Sequence, residues 1–121
     1  MYLAGEWIDA ASSLPVLHPF DGHVVDTVPS ASPEHVEQAL TAAVQGAATM
    51  AALAAHERCR ILLRSADLLD SRAEEMARTI SAEEGKPLAE GRAEATRCGE
   101  LIRLAAVAGA QVRGETLPLD A

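Results

Sequence analysis

Apolar residues change their spacing once along this chain, near residue 30, and the change separates two kinds of structure. Before it, short apolar runs are interrupted by turn formers. Tyr2-Leu3-Ala4 and Trp7-Ile8 flank Gly5-Glu6, a pattern that suits a tight hairpin. Val16-Leu17-His18 and Val24-Val25-Asp26-Thr27-Val28 flank Pro19-Phe20-Asp21-Gly22. Proline and Asp-Gly mark a turn, so a second pair of short strands is predicted there. Ala10 to Ser13 reads as a small-residue connector.

From Ser32 the spacing is that of a helix. Ser32 can accept a hydrogen bond from the first-turn amides, Pro33 needs no partner for an N–H, and Glu34 meets the positive end of the dipole. Val36, Leu40, Ala43, Val44 and Ala47 fall on one face, and this helix is expected to reach about Ala48. A second helix is predicted from about His56 to Asp70, with Cys59, Leu62, Leu63, Ala66 and Leu69 as its stripe. Ser71 to Glu74 matches a capping box and restarts a helix with Ala73, Met76, Ala77 and Ile80 inward, ending near Gly85. A last helix is expected over Pro87 to Val112, with Ala95, Cys98, Ile102, Ala105, Gly109 and Val112 inward. Gly91, Gly99 and Gly109 each weaken it by up to about 1 kcal/mol relative to Ala, so close packing is the better reason for them. Gly114 is a plausible C-cap, and Thr116 to Leu119 reads as extended.

Composition changes this picture in one respect. The 121 residues are 49% hydrophobic, yet much of that is alanine and only 2% are aromatic. Alanine removes little area from water, and burial contributes only about 25 cal/mol per Å². A core of this kind is thin, which fits a piece that shares a larger core better than a self-sufficient domain. The net charge of −8 opposes binding to nucleic acid or to an anionic membrane surface. No apolar run nears the roughly 20 residues of a membrane span, and the first residues lack a secretory pattern, so a cytoplasmic location is expected.

Candidate chemistry is sparse. Gly85-Lys86-Pro87 lacks the Ser or Thr and the earlier glycine of a phosphate loop; helix end, helix-end cation and helix start explain it better. His18, His23, His35 and His56 show no metal-ligand spacing, so no metal is expected. Cys59 and Cys98 fall on apolar stripes and read as packing thiols rather than nucleophiles. Neither a Gly-x-Ser-x-Gly elbow nor a Gly-x-Gly-x-x-Gly turn occurs. Glu94 and Arg97, three apart, read from spacing alone as a surface ion pair.

Six stretches in order carry a resemblance. Gly5-Glu6-Trp7-Ile8 resembles the opening Gly-Glu-Trp hairpin of the aldehyde dehydrogenase superfamily. Pro19-x-x-Gly22 with Val24-Val25 resembles its Asn-Pro-x-x-Gly turn, and Ser32-Pro33-Glu34-x-Val36-x-x-Ala39 its first helix. Glu57-Arg58-x-x-Ile61-Leu62 with Ala66-Asp67-Leu68-Leu69 resembles its second helix. Glu83-Glu84-Gly85-Lys86-Pro87 followed by Glu94, and Gly114-Glu115-Thr116-Leu117-Pro118-Leu119-Asp120, resemble the two remaining stretches. The family pattern is broken where His18 replaces Asn, where Ala95 replaces Val, and where Leu104, Ala105 and Ala108 stand in a stretch usually richer in aromatics.

The resemblance implies an α/β family segment: β-hairpins over 1–30, about four α-helices over 32–114 and an extended link over 115–121. Together these form the outer part of an aldehyde-dehydrogenase-like cofactor-binding domain. It implies NAD- or NADP-dependent oxidation of aldehydes to acids in the complete enzyme, which is expected to be a homo-oligomer. The family's catalytic cysteine, glutamate and asparagine and its dinucleotide turns match positions beyond Ala121. No catalytic or cofactor-binding residue is therefore carried onto this chain, and the remainder of the dehydrogenase is its expected partner. One carry-over remains: in members acting on phosphonate- or phosphate-bearing aldehydes, an arginine at the place of Arg97 reaches the substrate tunnel. The alternative is a stand-alone helical interaction module, or a non-enzymatic remnant, that pairs through exposed apolar helix faces.

Overall fold

The computed structural model describes residues 1–117 and 119. Among them, two antiparallel strand pairs precede four helices. Strands β1 (Tyr2–Leu3) and β2 (Glu6–Trp7) pair Tyr2 with Trp7, whose rings meet edge to face at 5.4 Å. The turn is centred on Ala4-Gly5, one residue earlier than the spacing of apolar residues predicts. Both turn residues have positive φ, 52° and 96°, as a mirror-type hairpin turn demands. The Met1 amine and the Ile8 amide extend the ladder by one pair, with bonds of 2.7 and 2.8 Å.

Strands β3 (Ser13–Leu17) and β4 (Val24–Pro29) run antiparallel in register from Ser13 opposite Pro29 to Leu17 opposite Val24, with an irregularity at Val16/Leu17. The ladder begins at Ser13, inside the expected connector, and includes Pro15. A two-stranded ribbon has a free edge on each strand, so a residue without an N–H is tolerated.

Helix α1 (Pro33–Ala52) starts where predicted and runs one turn beyond Ala48. Ser32 Oγ accepts from the His35 amide at 3.3 Å, and His35 Nδ1 accepts from the Ser32 amide at 3.2 Å. The expected apolar face is present in spacing but uncovered: α1 contains no buried residue, and Val44 is 73% exposed. Helix α2 (Ala55–Ser71) is opened by Glu57, whose carboxylate accepts from the Ala54 amide at 2.9 Å.

The capping box predicted from Ser71 to Glu74 does not form. Ser71 still lies within α2, where its hydroxyl donates to the Leu68 carbonyl at 2.7 Å. A serine with helical backbone turns back along its own helix instead of capping the next one. Helix α3 (Ala73–Glu84) therefore starts after Arg72 with no side-chain cap, and Gly85 closes it at φ 72°. Helix α4 (Leu88–Ala110) follows, with Pro87 at its N-cap.

The packed body is α2, α3 and α4, which meet through small residues. Ala66, Ala77, Ala95 and Ala106 are buried there, while Gly91 and Gly99 let the backbones approach. A β-carbon at Gly91 would lie 2.7 Å from the Ala77 carbonyl oxygen, and one at Gly99 would overlap the Asp70 carboxylate. The inward stripe expected of the last helix is correct at Ala95, half-buried at Cys98 and Ile102, and fails from Ala105 on. Ala105, Gly109 and Val112 are exposed and Ala106 is buried instead, because the contact follows Gly91, Ala95, Gly99 and Ala106. Gly109 has open space around it, and Gln111, not Gly114, caps the helix. No strand forms over 112–117; Pro118, Asp120 and Ala121, part of the expected extended link, lie outside the described residues. Among the described residues, no helix is long and apolar enough to cross a membrane.

Candidate functional site

Arg97 projects from the middle of α4. It forms no ion pair among the described residues. The Glu94–Arg97 pair expected from spacing is replaced by another: Glu94 accepts from Lys86 Nζ at 2.6 Å. Lys86 also meets Glu84 at 2.7 Å, and these two carboxylates raise its pKa to about 12. Glu94 is lowered first by the Lys86 hydrogen bond and its charge, with a smaller contribution from the charge of Arg97. Arg97 thus faces Glu94 without being tied to it.

On α4 Arg97 has Glu94 and Glu100 three residues away on either side, with leucines beyond them. Residues four and seven further on share its face, and these are Leu101 and Leu104. Both are exposed, Leu104 by 66%. The rest of α4 is pinned by charge. Arg92 donates to Glu74 at 2.8 and 3.0 Å, and Arg103 meets Asp67 and Asp70 at 2.7 Å each. Arg92, then Arg78, hold the Glu74 carboxyl at a pKa of about 2. These pairs link α4 to α3 and to α2 across the packed face.

Cys59 and Cys98 are free, partly buried thiols on the faces that pack. The α2 flank holds an open groove lined by Leu53, Glu57, Ile61 and Asp67, with Arg60 and Arg64 at its margin. It brings together no nucleophile and base. His35 serves the α1 cap, and His56 is exposed at the start of α2.

One grouping escapes the linear reading. His18 and His23 close the β3–β4 turn through a 2.9 Å backbone bond and stack with ring centroids 4.8 Å apart. Asp21 Oδ1 lies 2.6 Å from His23 Nδ1 and 3.4 Å from His18 Nδ1. The sequence holds a signal that the linear reading missed: His18 and His23 stand as His-x4-His, within the spacing that metal-binding histidine pairs use, and they meet across the turn as cross-strand neighbours.

Comparison with known proteins adds three findings. Residues 7–121 match the family described as the aldehyde dehydrogenase family. The chain is 33% identical to the glutarate-semialdehyde dehydrogenase of Pseudomonas putida over 97% of its own length and 25% of that protein's. It is 37% identical to malonate-semialdehyde dehydrogenase 1 of Shouchella clausii over 99% of its length and 25% of the relative's. Among solved structures, aldehyde dehydrogenase 21 from Physcomitrella patens, in complex with the reaction product succinate, superposes with a TM-score of 0.93 at 35% identity. That match covers 98% of this chain and 25% of the other. The chain spans about a quarter of the length of the curated relatives it matches. With the hairpins, the four-helix order and the family match in agreement, the chain belongs to the aldehyde dehydrogenase family.

Proposed function

We propose that this chain is the leading segment of an NAD- or NADP-linked aldehyde dehydrogenase that oxidises a small aldehyde carrying an anionic group. The supporting observation is Arg97, an unpaired guanidinium among the described residues, on an α4 face whose Leu101 and Leu104 are left open to solvent. In a complete enzyme such an apolar face is covered, and a cation standing on it is then enclosed with an apolar wall on one side. A guanidinium in that setting presents a planar fork of donors to a carboxylate or phosphonate. Relatives named for glutarate and malonate semialdehydes point the same way.

In this reading, residues 1–121 are the outer, mostly helical part of the cofactor-binding domain, with hairpins over 1–30 and helices over 32–114. The thiolate that attacks the carbonyl, the oxyanion donors and the dinucleotide that accepts hydride belong to the remainder of the dehydrogenase. The complete enzyme is a cytoplasmic homo-oligomer. The segment by itself is not catalytic and holds no cofactor.

The test joins residues 1–121 to the remaining length of the glutarate-semialdehyde dehydrogenase relative. Arg97→Ala should raise KM for a semialdehyde acid by about 10- to 100-fold, the value of a charge-assisted pair, and spare a neutral aldehyde of equal length. Equal losses on both substrates would reject Arg97 as a substrate contact.

A second reading, a stand-alone helical interaction module, draws support from the uncovered apolar face of α1. With an antibody raised against this segment, a species of 12.7 kDa captured from its own cell would favour it; a much larger captured species would favour the dehydrogenase.

A further inference from the structure

We propose that the β3–β4 turn binds one divalent transition-metal ion, of the Zn²⁺ class, through His18, Asp21 and His23. The site is independent of Arg97 and of the dehydrogenase reading.

The turn builds the site by backbone geometry. The His18 amide donates to the His23 carbonyl at 2.9 Å, and the Gly22 amide donates to the His18 carbonyl at 2.9 Å. Gly22 adopts φ 74°, which brings the chain back within four residues and sets the two imidazoles on one side. Asp21, between them, accepts from the His23 amide at 3.3 Å, which fixes its carboxylate toward the rings. One donor atom from each of the three residues lies within 4.8 Å of the others.

Two imidazoles and one carboxylate suit borderline ions such as Zn²⁺ and Co²⁺ better than Mg²⁺ or Ca²⁺, which prefer all-oxygen shells. Tetrahedral Zn²⁺ with bonds of about 2.1 Å needs donors about 3.4 Å apart. Closing from 4.8 Å asks for small side-chain rotations, and His23 is more than half exposed and free to make them. The ion would take over the weak 3.2 Å bond that the Phe20 amide donates to His18 Nδ1. His23 Nδ1 already lies 2.6 Å from Asp21 Oδ1, so these two donor atoms face one another before any ion enters. Arg78 lines the same depression, and its charge is engaged by Glu74 at 2.7 Å. A fourth position stays open to water.

The test titrates the 121-residue chain with Zn²⁺ against a chromophoric chelator. One ion per chain is expected, with affinity falling at lower pH as protons compete for the ligands. His23→Ala, His18→Ala and Asp21→Asn should each weaken binding by at least about tenfold, since even outer-shell partners carry that much. Affinity unchanged in the histidine variants, or no binding by the native chain, would overturn the proposal. Paramagnetic Co²⁺ added to the native protein gives a readout that needs no variant. Broadening centred on residues 17–24, reaching only neighbours such as Arg78 and Ser81 that line the same depression, supports the site, and broadening centred on Cys59 or Cys98 refutes it.

Discussion

Helices α1 and α4 make opposite cases for what holds a helix. α1 has the better local signals: a reciprocal Ser32–His35 cap, proline in the first turn and a regular apolar face. It buries nothing. α4 begins with no side-chain cap and carries three glycines, yet Gly91, Ala95, Gly99 and Ala106 are all buried. The lesson is that local chemistry decides where a helix begins, while neighbouring backbones decide whether it is held. α1 leaves its apolar face uncovered among the described residues, and α4 packs on α2 and α3.

The same substitution placed on both helices breaks the comparison most sharply. Gly91→Ala should destabilise the chain by about 1–3 kcal/mol through overpacking against the Ala77 carbonyl. Gly46→Ala on α1, where a β-carbon meets nothing within 4 Å, should instead stabilise by about 0.5–1 kcal/mol. Urea unfolding of the two variants checks the sign; equal signs would mean that α1 is packed or that α4 is not.

A smaller effect tests the cap. Ser32→Ala should cost about 1 kcal/mol of local stability. It should accelerate amide exchange in the first turns of α1 while leaving α4 protection unchanged. Uniform loss in both helices would show that they unfold as one unit.

The pH dependence is the mildest discriminator, because these carboxylates and the lysine are exposed to screening. Glu74 is held below its ordinary 4.5 at about 2, so its contribution is complete above 4.5 and disappears as pH falls toward 2. Lys86 is raised from 10.5 to about 12, so its contribution is complete below 10.5 and disappears as pH rises toward 12. Both clasps belong to the α3–α4 body. Amide exchange followed across these two windows should change there first, and Arg92→Gln should shrink the acid-side effect, Arg78 retaining the rest.

What could be read from the residues follows the same division. Ser32-Pro33, Asp21-Gly22 and Gly85 act within a few residues, and each stands where its spacing predicts. Ser71 failed as a cap because its backbone is decided by α2 continuing through it. The α4 stripe was placed a residue off toward its end, because Ala105 and Ala106 are equally apolar and only the position of α2 and α3 chooses between them. The His-x4-His spacing of His18 and His23 was legible, while their meeting depends on the ladder closing across the turn. That Glu94 pairs with Lys86 and not with Arg97 was not legible from helix spacing, since Lys86 lies eight residues away, before the start of α4.

Gly85 carries a further consequence. Its φ of 72° ends α3, and the ring of Pro19 lies 3.3 Å from where its β-carbon would be. Two unrelated demands therefore coincide on one residue. A change at Pro19 that made room would leave the backbone demand in force, and a local backbone adjustment would leave the ring in the way. Second-site suppressors of a Gly85 substitution should accordingly be rare, since a single change elsewhere meets only one of the two demands.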